Sequence, residues 1–309
     1  MSGPSMAWLS DGKRLHLQHG PIDLIIKVDG QQDEVERAYR AACRRFATML
    51  ANLVDELPSL RSECPPSGLS LKGLVAKRME AAVRPLWSYR VTPMAAVAGA
   101  VADEVLSALT TSRTLDRAYV NNGGDIALML GPKSCFDIAM IARPDQPKVL
   151  GSISLEADDG VGGLATSGRH GRSHSLGIAD SVTVLARDAA AADAASTLIA
   201  NAVDLPEHPA IERVEARDLN PDSDLHDRLV TIGVGSLDAQ ETAAALDRGV
   251  DLAESLVKKG LIKAAALSLG DQQRLVGRLP ARRVSQTDAF IANHHENDLT
   301  PKEVCLARG

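Results

Sequence analysis

Asp193 and Thr197 stand four residues apart in an alanine-rich stretch that follows Asp188 and reads as a helix, so they share one face. A carboxylate and a hydroxyl stacked in this way can ligate a hard cation such as magnesium, which prefers oxygen. The same pair also fits an acid on a solvated face beside a threonine bonded back to the preceding turn. A second candidate is Asn121-Asn122-Gly123-Gly124-Asp125-Ile126, set between the apolar runs Ala118 to Val120 and Ile126 to Leu130. It reads as a turn joining two strands. Glycines admit positive φ and let a ligand approach the main chain. Asp125 then opens the second strand, where it can bind a hydroxyl, an amide edge or a cation. A hairpin turn with its own Asx chemistry looks the same. A third candidate is Thr166-Ser167-Gly168, which closes a glycine-rich loop begun at Gly160, Gly162 and Gly163. Arg169, His170, Arg172 and His174 follow. Main-chain N–H groups and guanidinium forks in such a loop can receive phosphate, although solvated turns have similar composition.

These residues need elements to hold them. Arg14 to Gln18 and Ile22 to Val28 read as strands across a His-Gly-Pro turn. Val35, Tyr39, Ala42, Phe46, Met49 and Leu53 recur at three or four residues and form the apolar stripe of one amphipathic helix. Pro65, Pro66 and Gly68 mark a loop, and a short helix after it stops near Pro85. Thr92-Pro93 starts a helix whose body, Met94 to Leu109, is rich in alanine and contains Gly99, with Asp103 and Glu104 one turn on. Small side chains there let another backbone or a ligand lie close. Phe136 to Ala142, Leu150 to Leu155 and Ser181 to Ala186 are strands, and Asp188 is an N-cap. Ile211 to Ala216 and Leu229 to Val234 are strand candidates around a polar loop. Ala239 to Lys258 is a helix ending at Gly260. Ile262 to Leu269 and Arg274 to Leu279 pair across Gly270-Asp271. From Ala281 the chain reads as a polar tail, and His294-His295 within it as plain surface.

The 309 residues suffice for a large domain, and with aromatics at only 3% the core must be filled by Ala, Val, Leu and Ile. A formal charge of -6 argues against nucleic acid as the main partner. Cys43, Cys64, Cys135 and Cys305 have no short pairing, which suits neither a zinc site nor a disulfide framework and fits reduced thiols in a cytoplasm. No signal-like segment opens the chain, and no apolar run reaches bilayer length, so no membrane contact is expected.

Taken in order, the small-residue helix with Gly99 and Asp103, the Asn122-Gly123-Gly124-Asp125-Ile126 turn, Ala165-Thr166-Ser167-Gly168, the strand Val182-Thr183-Val184 and Ala192-Asp193-Ala194-Ala195-Ser196-Thr197 resemble the ApbE family. Those proteins are flavin transferases that use FAD and magnesium to attach FMN to a threonine of a target protein. The resemblance spans about Val91 to Asn201 and is nearest to a shorter branch of ApbE-like proteins that share the Thr92 to Ala100 stretch. It implies that Asp193 and Thr197 hold Mg2+. It also implies that Gly99, Asn122, Gly123, Gly124, Asp125, Thr166, Ser167 and Gly168 line an FAD or FMN pocket. Two features depart from the family. Its helix lysine is Ala98 here, and its Asp-Pro-Arg-Thr-Gly segment is absent, with His174 and Asp180 read as remnants and so as the candidate catalytic residues.

The implied fold is α+β, with antiparallel sheets covered by helices and related to the T-fold. A single domain over 1–280 and a tail over 281–309 are expected. Three functions follow from the resemblance. One is an accessory or binding protein with a flavin or adenine dinucleotide and Mg2+ pocket, serving a partner enzyme. Another is a Mg2+-dependent flavin transferase or FAD-cleaving enzyme. The last is a structural subunit with a vestigial pocket. The small-residue helix is compatible with a homodimer.

Overall fold

Alternation sets the faces of the main sheet. In the strand Ile22–Gly30 the side chains of Ile22, Leu24, Ile26 and Val28 are buried against helices, while Ile25 packs on the opposite side. The computed structural model describes residues 3–141, 149–171, 173–278 and 304–307. In chain order it contains β1 (Ser5–Trp8), β2 (Leu15–His19), β3 (Ile22–Gly30), α1 (Gln32–Phe46), α2 (Met49–Asp55), α3 (Leu57–Leu60), α4 (Leu74–Val83), α5 (Val97–Thr110), β4 (Leu115–Asn122) and β5 (Asp125–Leu130). Then come β6 (Cys135–Ile141), β7 (Val149–Glu156), β8 (Gly163–Ser167), β9 (Ser181–Ala186), α6 (Ala189–Ala202), β10 (Ile211–Glu215), α7 (Ala216–Leu219), β11 (Leu229–Val234), α8 (Ala239–Lys258), β12 (Ala264–Leu269), β13 (Gln272–Gly277) and β14 (Val304–Ala307).

Nine strands form one sheet in the order β1-β2-β3-β4-β5-β8-β9-β12-β13, antiparallel at every step. Helices α1, α5, α6 and α8 cover one face. On the other face the β6–β7 hairpin lays Phe136, Ile138, Ile153 and Leu155 against Tyr119, Ile126, Leu128 and Leu164. In sequence this hairpin lies between β5 and β8, which pair directly in the sheet. The architecture is the expected α+β arrangement of antiparallel sheets under helices.

Two local readings differ from the structure. The single stripe from Val35 to Leu53 is two helices, α1 and α2, broken at Ala47-Thr48, although Met49 and Leu53 still bury as the stripe demands. Gly163 to Ser167 is not a loop but β8, an interior strand. Its small residues answer to α6: a Cβ on Gly163 would overlap the backbone of Asp188 and Ala189. Ser5–Trp8 pairs as an edge strand with β2. The tail assignment, with His294 and His295, lies outside the described residues apart from Val304–Ala307, which pairs parallel to β6.

Pro93–Thr110 is long and apolar enough to cross a bilayer by length and composition, yet 56% of that stretch is buried inside the protein. Its carboxylates are engaged internally. Glu104 takes Arg45 of α1 on one oxygen and Arg78 of α4 on the other, each at 2.8 Å. Only Glu104 of the three is fully buried. Removing it strands two guanidinium groups, so Glu104→Ala should lower the unfolding free energy by about 3 kcal/mol, read as a reduced urea midpoint with an unchanged slope.

Candidate functional site

Helices α5 and α6 cap each other. After a 3-10 turn at Pro93–Ala96, α5 begins at Val97 and its first-turn N–H groups have no partner within the helix. Gly99 donates its N–H to Asp193 Oδ2 at 3.0 Å, and the Ala98 N–H also points at this carboxylate. In return Asp103 of α5 accepts the N–H groups of Ala189 and Ala190, the opening residues of α6, at 3.0 and 2.9 Å. A side chain at position 99 would collide with the Ala189 carbonyl and the Ala190 nitrogen, so only glycine allows this approach. Both acids sit where a helix N-terminus favours negative charge.

The β4–β5 turn closes on the same point. Asn122 pairs across from Asp125, leaving Gly123 (φ +68°) and Gly124 (φ +119°) as a two-residue turn that needs glycine. The buried Asn122 amide donates to the Ala98 carbonyl at 3.0 Å, tying the turn to the start of α5. Asn121 Oδ1 accepts the Gly124 N–H at 2.9 Å. The Thr166 main-chain N–H of β8 lies near enough to Asp125 to favour its carboxylate form. The Thr166 hydroxyl is itself buried against that of Thr183 in β9 at 2.9 Å. Residues from α5, β4, β5, β8 and α6 therefore converge. Asp125, Ser167, Asp193 and Thr197 each keep partial solvent contact there. Thr197 makes no hydrogen bond among the described residues, whereas its neighbour Ser196 does bond back, to the Asp193 carbonyl at 3.0 Å.

Asp125 and Asp193 meet here, and neither makes an ion pair among the described residues. Burial pushes the Asp193 carboxyl up to about 7, against the N–H groups that hold it down. Asp125 is driven well above the usual carboxylate range, first by burial and then by the charge of Asp193. Burial likewise pushes Asp103 up to about 6 despite its two N–H donors. Desolvation and like charge both disfavour ionisation. Among the described residues no group of three or more His, Cys, Asp or Glu side chains forms a ready-made metal cluster.

Asp180 lies at the end of the Gly168 loop and is already fully engaged. Its Oδ1 takes Arg169 Nε at 2.9 Å, Arg169 Nη2 at 2.7 Å and His170 Nε2 at 3.2 Å, and its Oδ2 accepts the Gly270 N–H at 2.7 Å. Gly168 packs so closely on the Asp180 carbonyl that a Cβ would overlap it. His174 is exposed and has no bonded partner among the described residues. The histidine beside Asp180 is thus His170, which sequence reasoning had placed only in the basic loop. Asp103 was noted one turn past Gly99 but not as the cap of α6.

Chain-wide comparison agrees with the motifs. A family model described as AbpE bacteria matches residues 6–275. A UPF0280 protein of Methanopyrus kandleri is 38% identical over 179 residues, spanning 58% of this chain and 69% of that protein. A UPF0280 protein of Methanospirillum hungatei JF-1 is 30% identical over 185 residues, spanning 59% and 73%. Among solved structures, the apo flavinyl transferase ApbE of Pseudomonas stutzeri aligns with a TM-score of 0.40 at 14% identity, over 89% of this chain and 95% of that one. The flavin transferase ApbE of Vibrio cholerae aligns with a TM-score of 0.38 at 13% identity, over 88% and 96%. With the family model spanning most of its length, this chain belongs to the AbpE bacteria family, an ApbE-like group.

Proposed function

We propose that this protein binds a flavin-bearing or adenine dinucleotide, with a magnesium ion held by Asp193, Asp125 and the Thr197 hydroxyl, and acts as an accessory or binding protein. The observation that carries this reading is two neighbouring half-buried carboxyls, Asp125 and Asp193, with no cationic partner among the described residues, beside the uncommitted Thr197 hydroxyl. The residues fit such an ion. Magnesium is usually held by one or two carboxylates while phosphate oxygens and water complete its shell, so a three-sided protein cluster is not required. When bound, the ion would draw charge off a diphosphate as a Lewis acid. The chain's own part is to orient. The α5 N-terminus fixes Asp193, the Asn121 and Asn122 side chains hold the β4–β5 turn, and Gly123 leaves its main chain exposed to a ligand. Membership of an ApbE-like family supports a flavin as that ligand.

Magnesium-dependent flavin transfer or FAD cleavage is the second reading, supported by the Asp193–Thr197 pair itself. Against it, Asp180 has both oxygens engaged and does not pair with His174, so the two form no acid–base pair here. Incubating the protein with FAD and Mg2+ and chromatographing the products separates the readings. We expect intact FAD to be retained. Release of AMP or FMN would establish the enzymatic reading instead, and failure to retain FAD would remove both and leave a structural subunit. Free Cys43, Cys64 and Cys135 support a reducing, cytoplasmic setting. A partner enzyme would be the recipient of the bound nucleotide.

A further inference from the structure

A second hollow lies far along the sheet, where β1, β2 and β3 meet α1. Its volume is about 620 Å3, within the range of small-molecule sites, and no residue of the Asp193 site lines it. Trp8 and Tyr39 form one wall, edge to face with ring centroids 4.9 Å apart, and Leu15, Val28 and Val35 supply an apolar floor. The Tyr39 hydroxyl is fixed, donating to the Lys13 carbonyl at 2.8 Å and accepting the Val28 N–H at 3.1 Å. Tyr39 is therefore held in place on this wall. Trp8 nevertheless remains 55% exposed, a large aromatic surface left to solvent.

Charge at this hollow is positive. Lys13, Lys27, Arg40 and Arg44 line it, opposed by Asp29 and Glu36. Glu36 is taken by Arg40 at 2.8 Å, and Asp29 by Arg117 at 2.7 Å, with Lys27 Nζ a further 3.8 Å contact. Lys13 and Arg44 make no ion pair among the described residues. Burial holds the Lys27 ammonium below its ordinary range, which an anion alongside it would reverse. An aromatic wall anchored at Tyr39, an apolar floor and surplus cations at the rim are complementary to a flat apolar body that bears one negative group.

We propose that this cavity is a second binding site, for a small aromatic carboxylate or sulfonate, separate from the nucleotide site. A protein or membrane partner would not need the concavity, and a neutral ligand would not use Lys13 and Arg44. The site does not depend on the magnesium and flavin reading.

The probe is 1-anilinonaphthalene-8-sulfonate, compared with its uncharged parent N-phenyl-1-naphthylamine and titrated by fluorescence with energy transfer from Trp8 in a Trp87→Phe background. We expect one site per chain and at least about tenfold preference for the sulfonate, equal to 1.4 kcal/mol. The exposed pair Lys13→Glu and Arg44→Glu should erase that preference, and Val35→Trp should block both probes, with circular dichroism unchanged. Saturating FAD and Mg2+ should leave the probe bound. Equal affinity for the two probes, indifference to the charge reversals, or displacement by FAD would each overturn the proposal. So would loss of binding on Leu252→Trp, which instead fills the hollow beside Leu198 and Arg213.

Discussion

Gly99→Leu should unfold much of the site and a large share of the protein's stability with it. The atoms that a side chain would meet belong to the backbone of Ala189 and Ala190, so no rotamer change relieves the clash. Helices α5 and α6 would have to separate. That breaks the Gly99 N–H bond to Asp193 and the two bonds from Asp103 to α6 at once. Overpacking alone costs about 1–3 kcal/mol, and each hydrogen bond to a charged group contributes about 1.5–3 kcal/mol. A combined loss of about 4 kcal/mol or more is a large fraction of the ~5–15 kcal/mol typical of a domain. Urea unfolding followed by circular dichroism measures it. A midpoint within error of the parent would show that α5 and α6 are not clamped at Gly99.

Asp193→Asn separates the two jobs of that residue. The amide oxygen can still accept the Gly99 N–H, so the helix cap survives, while the charge is gone. In the ligand-free protein the Asp193 carboxyl sits at about 7, far above its ordinary value of about 3.9. Folding thus favours its protonated form. Its contribution to stability is harmless below about pH 4, worsens as pH rises to about 7, and stays unfavourable above that. The variant should accordingly match the parent near pH 4 and exceed it at about pH 8, by about 2 kcal/mol after allowance for partial solvent contact. With magnesium present the order at about pH 8 should reverse, because only the parent gains from the ion. Thermal melts with chelator and with Mg2+ at both pH values read this directly. A variant less stable than the parent in chelator at about pH 8 would mean that the negative charge serves the α5 N-terminus alone.

Much of this was legible because it is local. The Gly123–Gly124 hairpin, the α8 helix and the Asp188 cap, which accepts the Ala191 N–H at 2.8 Å, all follow from residues within a few positions of each other. The family could be read from five short segments in order. What could not be read is what tertiary contact decides. Gly163 looked like a loop glycine because its real constraint, the backbone of α6, lies in a different element. The bonds from Asp103 to α6 span 86 and 87 residues, and nothing in the local pattern marks them. Edge strand β1 is exposed along its whole length, so it lacks the alternation that would reveal it. Asp125, Asp193, Gly99 and the Gly123–Gly124 turn come together, whereas only the resemblance pairs His174 with Asp180. The chain instead uses Asp180 to hold Arg169, His170 and the Gly270 turn.

Equilibrium dialysis of the intact protein against FAD, with Mg2+ and then with chelator, addresses the central reading most directly. One FAD per chain should be retained, at least about tenfold more tightly with Mg2+, and the Mg2+ advantage should vanish in Thr197→Val. Retention that is absent, or the same with chelator as with the ion, would contradict a cation-assisted nucleotide site at Asp193.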